Sequence, residues 1–270
     1  VDRAWQAGYV DLRTRHLSDE DAERLYSAHP RLARSHLDGC PTCGGVGTYN
    51  WKGEQTCDCE MQLQLHKHYL LANIGVLYQR LDWEDYDSTD NASVVSGTAE
   101  YLEAHQSMLR NGIGIIYQGP FGTGKSMLAS LVAKESVKLG HVTFFTTFQG
   151  MVQMFTSGWT STEDRRWFER RVVESDVLVL DDIGKEFRTK NNLAESLFDH
   201  VMRQRVFSGR VTIITTNDDE EELTKGYGAA VLSLLNERSM FMSLRGTDYR
   251  LTAKKRAVRE ALHGEQRPVF

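Results

Sequence analysis

One stretch restricts this chain more than any other. Gly119-Pro120-Phe121-Gly122-Thr123-Gly124-Lys125-Ser126 fits the pattern GxxxxGK[ST]. An apolar run, Ile113-Gly114-Ile115-Ile116-Tyr117-Gln118, precedes it, and a helical pattern over 125–139 follows. A strand, a glycine-rich turn and a helix in that order form a phosphate-binding loop. The glycines let successive main-chain N–H groups converge on phosphate oxygens, and the new helix adds its positive end. Lys125 is predicted to reach the β- and γ-phosphates of ATP and Ser126 to ligate Mg²⁺. Gly119, Pro120, Gly122, Thr123, Gly124 and Met127 complete the nucleotide-binding set.

The rest of the chain supplies the sheet such a loop needs. Apolar, β-rich runs occur at 142–146, 177–181 and 211–216, and a fifth at 240–244. Helical patterns at 148–156, 164–173 and 191–208 alternate with them. Strands apolar on both faces and separated by helices predict an α/β fold around a buried, parallel, five-stranded sheet. A helix over 98–110 is expected before the first strand, capped by Thr98 and stopped at Asn111-Gly112.

Val177-Leu178-Val179-Leu180-Asp181-Asp182 ends a buried strand in two acids. Asp181 is placed to hold the Mg²⁺ hydration shell, and Asp182 to polarise an attacking water. Thr215-Thr216-Asn217 ends the next strand, where Asn217 could orient that water or sense the γ-phosphate.

The N-terminal part has a different character. A helix over 18–37 is expected, capped by Ser18, with Asp19, Glu20 and Asp21 at its positive end and Leu25, Leu32 and Leu37 as contacts. Pro30 should break or kink it. All four cysteines fall within 40–59, as Cys40-x-x-Cys43 and Cys57-x-Cys59 with thirteen residues between the pairs. Four thiolates so spaced suit a structural, tetrahedral Zn²⁺, with His66 and His68 nearby as substitutes. A redox-active pair is the other reading, but it needs a thioredoxin-like βαβ context that is not evident here. A second helix is expected over about 60–73. Residues 74–95 lose periodicity and read as a linker between an N-terminal module, 1–73, and a main domain, 96–270.

The net charge of −5 excludes a generally polybasic chain, so nucleic-acid contact would use local patches. Trp159, Arg165, Arg166, Trp167, Phe168, Arg170 and Arg171 form one such patch. It suits single-stranded DNA equally as it suits an amphipathic helix with a solvated arginine face. A second basic stretch runs from Arg245 to Arg259 on a final helix, with Leu251, Ala257, Val258 and Leu262 expected beneath it. No run reaches the length of a membrane span, and no secretory signal is legible in the first thirty residues. A cytoplasmic location is expected.

Taken together, residues about 96–256 resemble the DnaC/DnaI and IstB branch of the AAA+ ATPases. The phosphate loop, Val-Leu-Val-Leu-Asp-Asp-Ile-Gly, Thr-Thr-Asn, Leu234-Leu235-Asn236-Glu237-Arg238 and Arg245-Gly246-Thr247-Asp248-Tyr249-Arg250 follow in that branch's order. The resemblance implies that Arg238 is an arginine finger acting between subunits and Arg250 a sensor-2 arginine. It also implies that 148–171 faces single-stranded DNA. Asp182 stands where most AAA+ proteins have glutamate, which implies slow turnover. A cysteine module followed by His68-Tyr69-Leu70-Leu71-Ala72-Asn73-Ile74 looks like helicase loaders of the DnaI kind, bacterial or phage. That resemblance implies a DnaB-type helicase partner, a homo-oligomer and DNA replication as the setting. The rival expectations are an IstB-like transposition ATPase that binds duplex DNA, and an adaptor that binds ATP without turning it over.

Overall fold

A computed structural model describes residues 3–34, 39–184 and 193–263. Leu37, residues 191–192 and the last seven residues, all within the ranges expected above, lie outside the described residues.

The N-terminal part begins with a 3-10 turn, Ala4–Gly8, and then α1 (Asp19–Ala28). Ser18 accepts from the Asp21 N–H and three acids occupy the first turn, as expected of that cap. Pro30 ends α1 and opens a short 3-10 turn, Pro30–Leu32, because its ring removes the next helical donor. A hairpin of β1 (Thr48–Asn50) and β2 (Glu54–Thr56) separates the two cysteine pairs. Cys59 then starts α2 (Cys59–Leu71).

The segment between the two parts is more ordered than its fading periodicity suggests. It contains α3 (Val76–Gln79) and a 3-10 turn, Trp83–Asp85, closed by reciprocal capping from Asp82 and Asp85. The helix expected over 98–110 is instead two: α4 (Ala92–Glu103) and α5 (His105–Arg110), joined at Ala104. Thr98 is not a cap. It sits buried inside α4, where its hydroxyl bonds Val94 O and the Tyr117 hydroxyl. A threonine can satisfy its own hydroxyl against the preceding turn, so it does not by itself mark a helix start. The stop at Asn111-Gly112 is as read: Gly112 takes φ +63 and the Ile113 N–H returns to Met108 O.

The main sheet comprises β3 (Gly114–Gln118), β4 (Thr143–Thr147), β5 (Val177–Ile183), β6 (Val211–Thr216) and β7 (Ser239–Ser243). All pairings are parallel, in the order β4-β5-β6-β3-β7. Between them run α6 (Lys125–Lys138), α7 (Phe148–Ser157), α8 (Thr162–Phe168), α9 (Leu193–Phe207), α10 (Glu220–Tyr227) and α11 (Ala229–Arg238). A π-helical turn, Glu169–Val173, continues α8 towards β5. Two apolar layers cover the sheet. One is centred on α6 and gathers Trp5, Tyr69, Trp83 and Leu102; the other is centred on α9 and gathers Phe148, Phe168 and Phe198.

The last helix, α12 (Arg250–His263), corrects an expectation. Leu251, Ala257, Val258 and Leu262 are exposed rather than packed beneath it. The helix is held by its polar side, where Arg256 pairs with the buried carboxylate of Asp85 and with Glu260 at 3.0 Å.

Candidate nucleotide site and cysteine centre

Parallel strands bring their carboxyl ends to one edge, and the loop that leaves β3 lies there. Gly122 and Gly124 adopt φ +75 and +91, values open to glycine at little cost. Space as well as backbone conformation excludes a side chain: a Cβ on Gly122 would lie 1.9 Å from Asp248 Oδ1, and one on Gly124 2.6 Å from the Tyr86 ring. The Tyr249 N–H bonds Gly122 O, and the Thr123 hydroxyl donates to Pro120 O. The loop is therefore held in shape by contacts within the chain.

Lys125 is buried at the start of α6, and its ammonium donates to Gly119 O at 2.8 Å and Pro120 O at 2.7 Å. Burial lowers its pKa, while Asp182 and Asp181 act in the opposite direction. Ser126 lies within reach of Asp181, whose own pKa is raised by burial and held back by the Thr215 and Ser126 hydroxyls. Met127, in the predicted set, is half-buried and packs against the main core.

The strand carrying the acids is deformed at them. Asp182 takes φ +60, and the β5–β6 register shifts between Leu180 and Ile183. A non-glycine residue in the left-handed region stores strain, a feature that clusters at functional sites. Thr215 compensates: its hydroxyl accepts from the Asp182 N–H at 2.8 Å and donates to Asp181 Oδ1 at 2.6 Å. The Asn217 amide donates to Asp182 Oδ1 at 3.1 Å. Lys125, Ser126, Asp181, Asp182 and Asn217 thus come together at one edge.

The two arginines lie apart from each other. Arg250 stands at the site, where its charge acts on Lys125 and on Tyr78, and its N–H caps on Asp248. Arg238 lies at the other end of the sheet, beside Ser239, which pairs with Gly114 at the start of β3. Its guanidinium contacts Asn111 O and Glu237. The length of β3, roughly 17 Å, separates it from its own phosphate loop.

The sequence reading missed Tyr78 and Tyr86, and it named Thr215 without giving it a role. The Tyr78 hydroxyl, carried by α3, reaches Ser126. Tyr86 bonds Thr123 O and covers Gly124. Only the first two sit in the irregular segment 74–95, where no spacing rule points to a loop on another element.

The cysteine centre is compact. All four Sγ atoms lie within 4.8 Å of one another, with Cys40–Cys57 at 3.7 Å and Cys43–Cys59 at 3.4 Å. Tetrahedral Zn–S bonds of 2.3 Å require S–S separations of about 3.8 Å, so these residues fit a zinc ion. Although burial opposes it, N–H groups of Gly47 and Gly45 bring the Cys43 thiol down to about 6, favouring the thiolate that a metal needs.

The basic-aromatic patch is divided. Phe168 and Arg171 are buried, and Arg170 and Arg171 both pair with Asp21 of α1. Arg24 and Arg171 stack on the Trp167 ring at 4.3 and 4.4 Å. Trp159, Arg165 and Arg166 remain exposed.

A parallel α/β sheet with this loop, a paired acid strand and a following Thr-Thr-Asn turn defines a P-loop ATPase of the AAA+ class. The chain belongs to the IstB-like ATP binding protein family, whose model matches residues 61–257. It is 25% identical over 176 residues to the replicative helicase loader DnaC of Escherichia coli K12, covering 63% of this chain and 69% of that one. It is equally identical over 187 residues to the ATP-binding protein of insertion sequence IS21 from Pseudomonas aeruginosa, covering 66% and 69%. Among solved structures, the DnaC helicase loader superimposes with a TM-score of 0.53 at 23% identity, over 59% of this chain and 92% of that one. DnaI superimposes at 0.52 and 18%, over 64% and 93%. Among the described residues, no helix is long and apolar enough to cross a membrane.

Proposed function

We propose that this protein loads a DnaB-type replicative helicase onto single-stranded DNA, with ATP controlling its assembly and release. The observation that carries the reading is the four-cysteine module joined to a DnaC-like ATPase domain. ATP would lie along 119–126, with Lys125 on its phosphates and Mg²⁺ between Ser126 and Asp181. Asp182, oriented by Asn217, would polarise the attacking water, and Arg250 would act from the same chain. Zn²⁺ on Cys40, Cys43, Cys57 and Cys59 would hold the N-terminal module in its helicase-gripping shape.

Arg238 fits the role of a finger supplied by a second copy, since its own phosphate loop is at the far end of β3. The exposed leucines and valine of α12 support the same homo-oligomer. Trp159, Arg165 and Arg166 would meet the DNA strand.

The test is co-elution of the intact chain with DnaB-type helicases of candidate hosts, in the presence of ATP. Stable binding by the parent, with helicase loading lost in Lys125→Ala, is the expected result. Deleting 1–73 would be a poor substitute, because Trp5 and Tyr69 belong to the main core. The similarity to the IS21 protein sustains a second reading, a transposition ATPase on duplex DNA that recruits a transposase. Absence of helicase binding together with a preference for duplex over single strands would select it.

A further inference from the structure

Where the N-terminal segment meets the ATPase domain, a cavity of about 160 Å³ is lined by Arg15, His16, His68, His141, Arg171 and Asp21, among others. It lies apart from the nucleotide loop and from the cysteines. We propose that this cavity is an anion site that takes a phosphate group.

One unpaired charge and two orphaned nitrogens carry the argument. Arg15 is half-buried, and the acid whose charge reaches it, Asp176, is ion-paired to Arg210. The buried Nε atom of Arg171 has no partner among the described residues. Neither has the buried Nε2 atom of His68, although that ring also bonds the Arg15 main chain. Burying an unpaired charge and an unbonded donor is costly, so these groups call for an occupant. The two nitrogens are shut off from solvent, so Arg15, which lacks a counter-charge at the cavity wall, is the group that an occupant meets first. A tetrahedral oxyanion in the cavity supplies that counter-charge and lies among the cavity's other basic side chains, His16, His68, His141 and Arg171.

The acids present do not fill this role. Asp21 stands at the cavity but is engaged by Arg170 and Arg171. Around His68 the other charged or titratable groups are Arg15 and His16 from the loop before α1, Asp21 from α1 and Lys67 on its own helix, with His141 and Arg171 across the cavity. Burial, Arg15 and Lys67 hold the imidazole neutral, and an anion would draw a proton onto it.

The test uses the full chain purified with zinc, its nucleotide site saturated with a non-hydrolysable ATP analogue and Mg²⁺. That saturation keeps added phosphate off the phosphate loop. At ionic strength fixed with chloride, inorganic phosphate at a hundredfold excess over its Kd should raise Tm by about 5 °C or more. Arg15→Gln should abolish the shift. Its Tm in phosphate-free buffer should equal or exceed the parent's, because an uncompensated cation has gone. His68→Gln, which keeps one hydrogen bond and loses the proton, should weaken the shift as a second variant. Sulfate, which does not titrate in this range, should bind more weakly at pH 8 than at pH 6. A 5′-phosphorylated dinucleotide in place of free phosphate separates the sources: an equal shift assigns the site to phosphate esters, no shift to the free anion. Absence of any phosphate-dependent shift in the parent would overturn the proposal, as would an undiminished shift in Arg15→Gln.

Discussion

At the residue scale, the nucleotide site depends on side chains that touch the motif without belonging to it. Thr215 links the two acids of β5, bonding the main chain of one and the carboxylate of the other. Tyr78 stands beside Ser126, so its hydroxyl is placed to steady the oxygen that would ligate Mg²⁺. A neutral hydrogen bond contributes about 0.5–1.5 kcal/mol, equivalent to roughly two- to tenfold in a rate or an affinity. Tyr78→Phe should therefore raise the Mg²⁺ concentration for half-maximal ATP turnover by about that factor. Unfolding by urea should stay close to that of the parent. A steady-state titration of Mg²⁺ at saturating ATP distinguishes the two effects, since a residue with only a packing role would leave the Mg²⁺ requirement unchanged.

At the element scale, the central strand tolerates no side chain at its entry. Gly114 begins β3 between β6 and β7, and a Cβ there would lie 1.9 Å from Thr212 O, a main-chain atom that cannot swing away. Gly114→Ala should cost at least about 3 kcal/mol, read as a shift in urea midpoint or as loss of folded protein. Gly97→Ala is the control. It lies inside α4, its Cβ would meet only the flexible Met242 Cε at 3.4 Å, and it should be neutral or stabilising by about 0.5–1 kcal/mol.

The strands themselves were legible in advance because a sheet buried on both faces writes unbroken apolar runs. The phosphate loop and Asp181-Asp182 were legible because their spacing is local. Three things were not. The division of α4 from α5 at Ala104 has no breaker residue to announce it. Tyr78 meets Ser126 only through the tertiary fold. The exposed face of α12 has helical spacing like that of a buried one, and spacing alone does not tell what covers it.

At the scale of the whole molecule, the two parts are tied through α6. Glu135, on that helix, accepts from Trp5 Nε1 and Trp83 Nε1 at 3.1 Å and from Lys138 at 2.8 Å, and also binds the Tyr9 hydroxyl. The helix that opens with the phosphate loop thus also anchors Trp5, Tyr9 and Val10 and the segment before α4. Close by, His105 is buried against the His141 ring at 4.6 Å, with neither of its nitrogens bonded among the described residues. Burial, helped by His141, lowers its pKa to about 4. An unfolded histidine titrates near 6.5, so between those values the unfolded chain binds more protons than the native one. The stability that neutral His105 contributes is therefore complete above pH 6.5 and is lost as pH falls towards 4, by up to about 3 kcal/mol. His105→Phe should flatten that part of the profile, measured as urea midpoints from pH 7.5 to 4.

The Glu135 hub also sets an order of events during synthesis. Trp5 reaches its partner only after 130 further residues have been added. At ribosomal speeds of 5–20 residues per second that interval is roughly 7–26 s. Through it, an indole destined for the interior stays in water or on a chaperone, while the cysteine hairpin, whose strands pair with each other and whose four cysteines cluster together, can already close. The nascent chain therefore closes its cysteine hairpin first and seats Trp5 late, about 0.5–2 s after the first turn of α6 has been made.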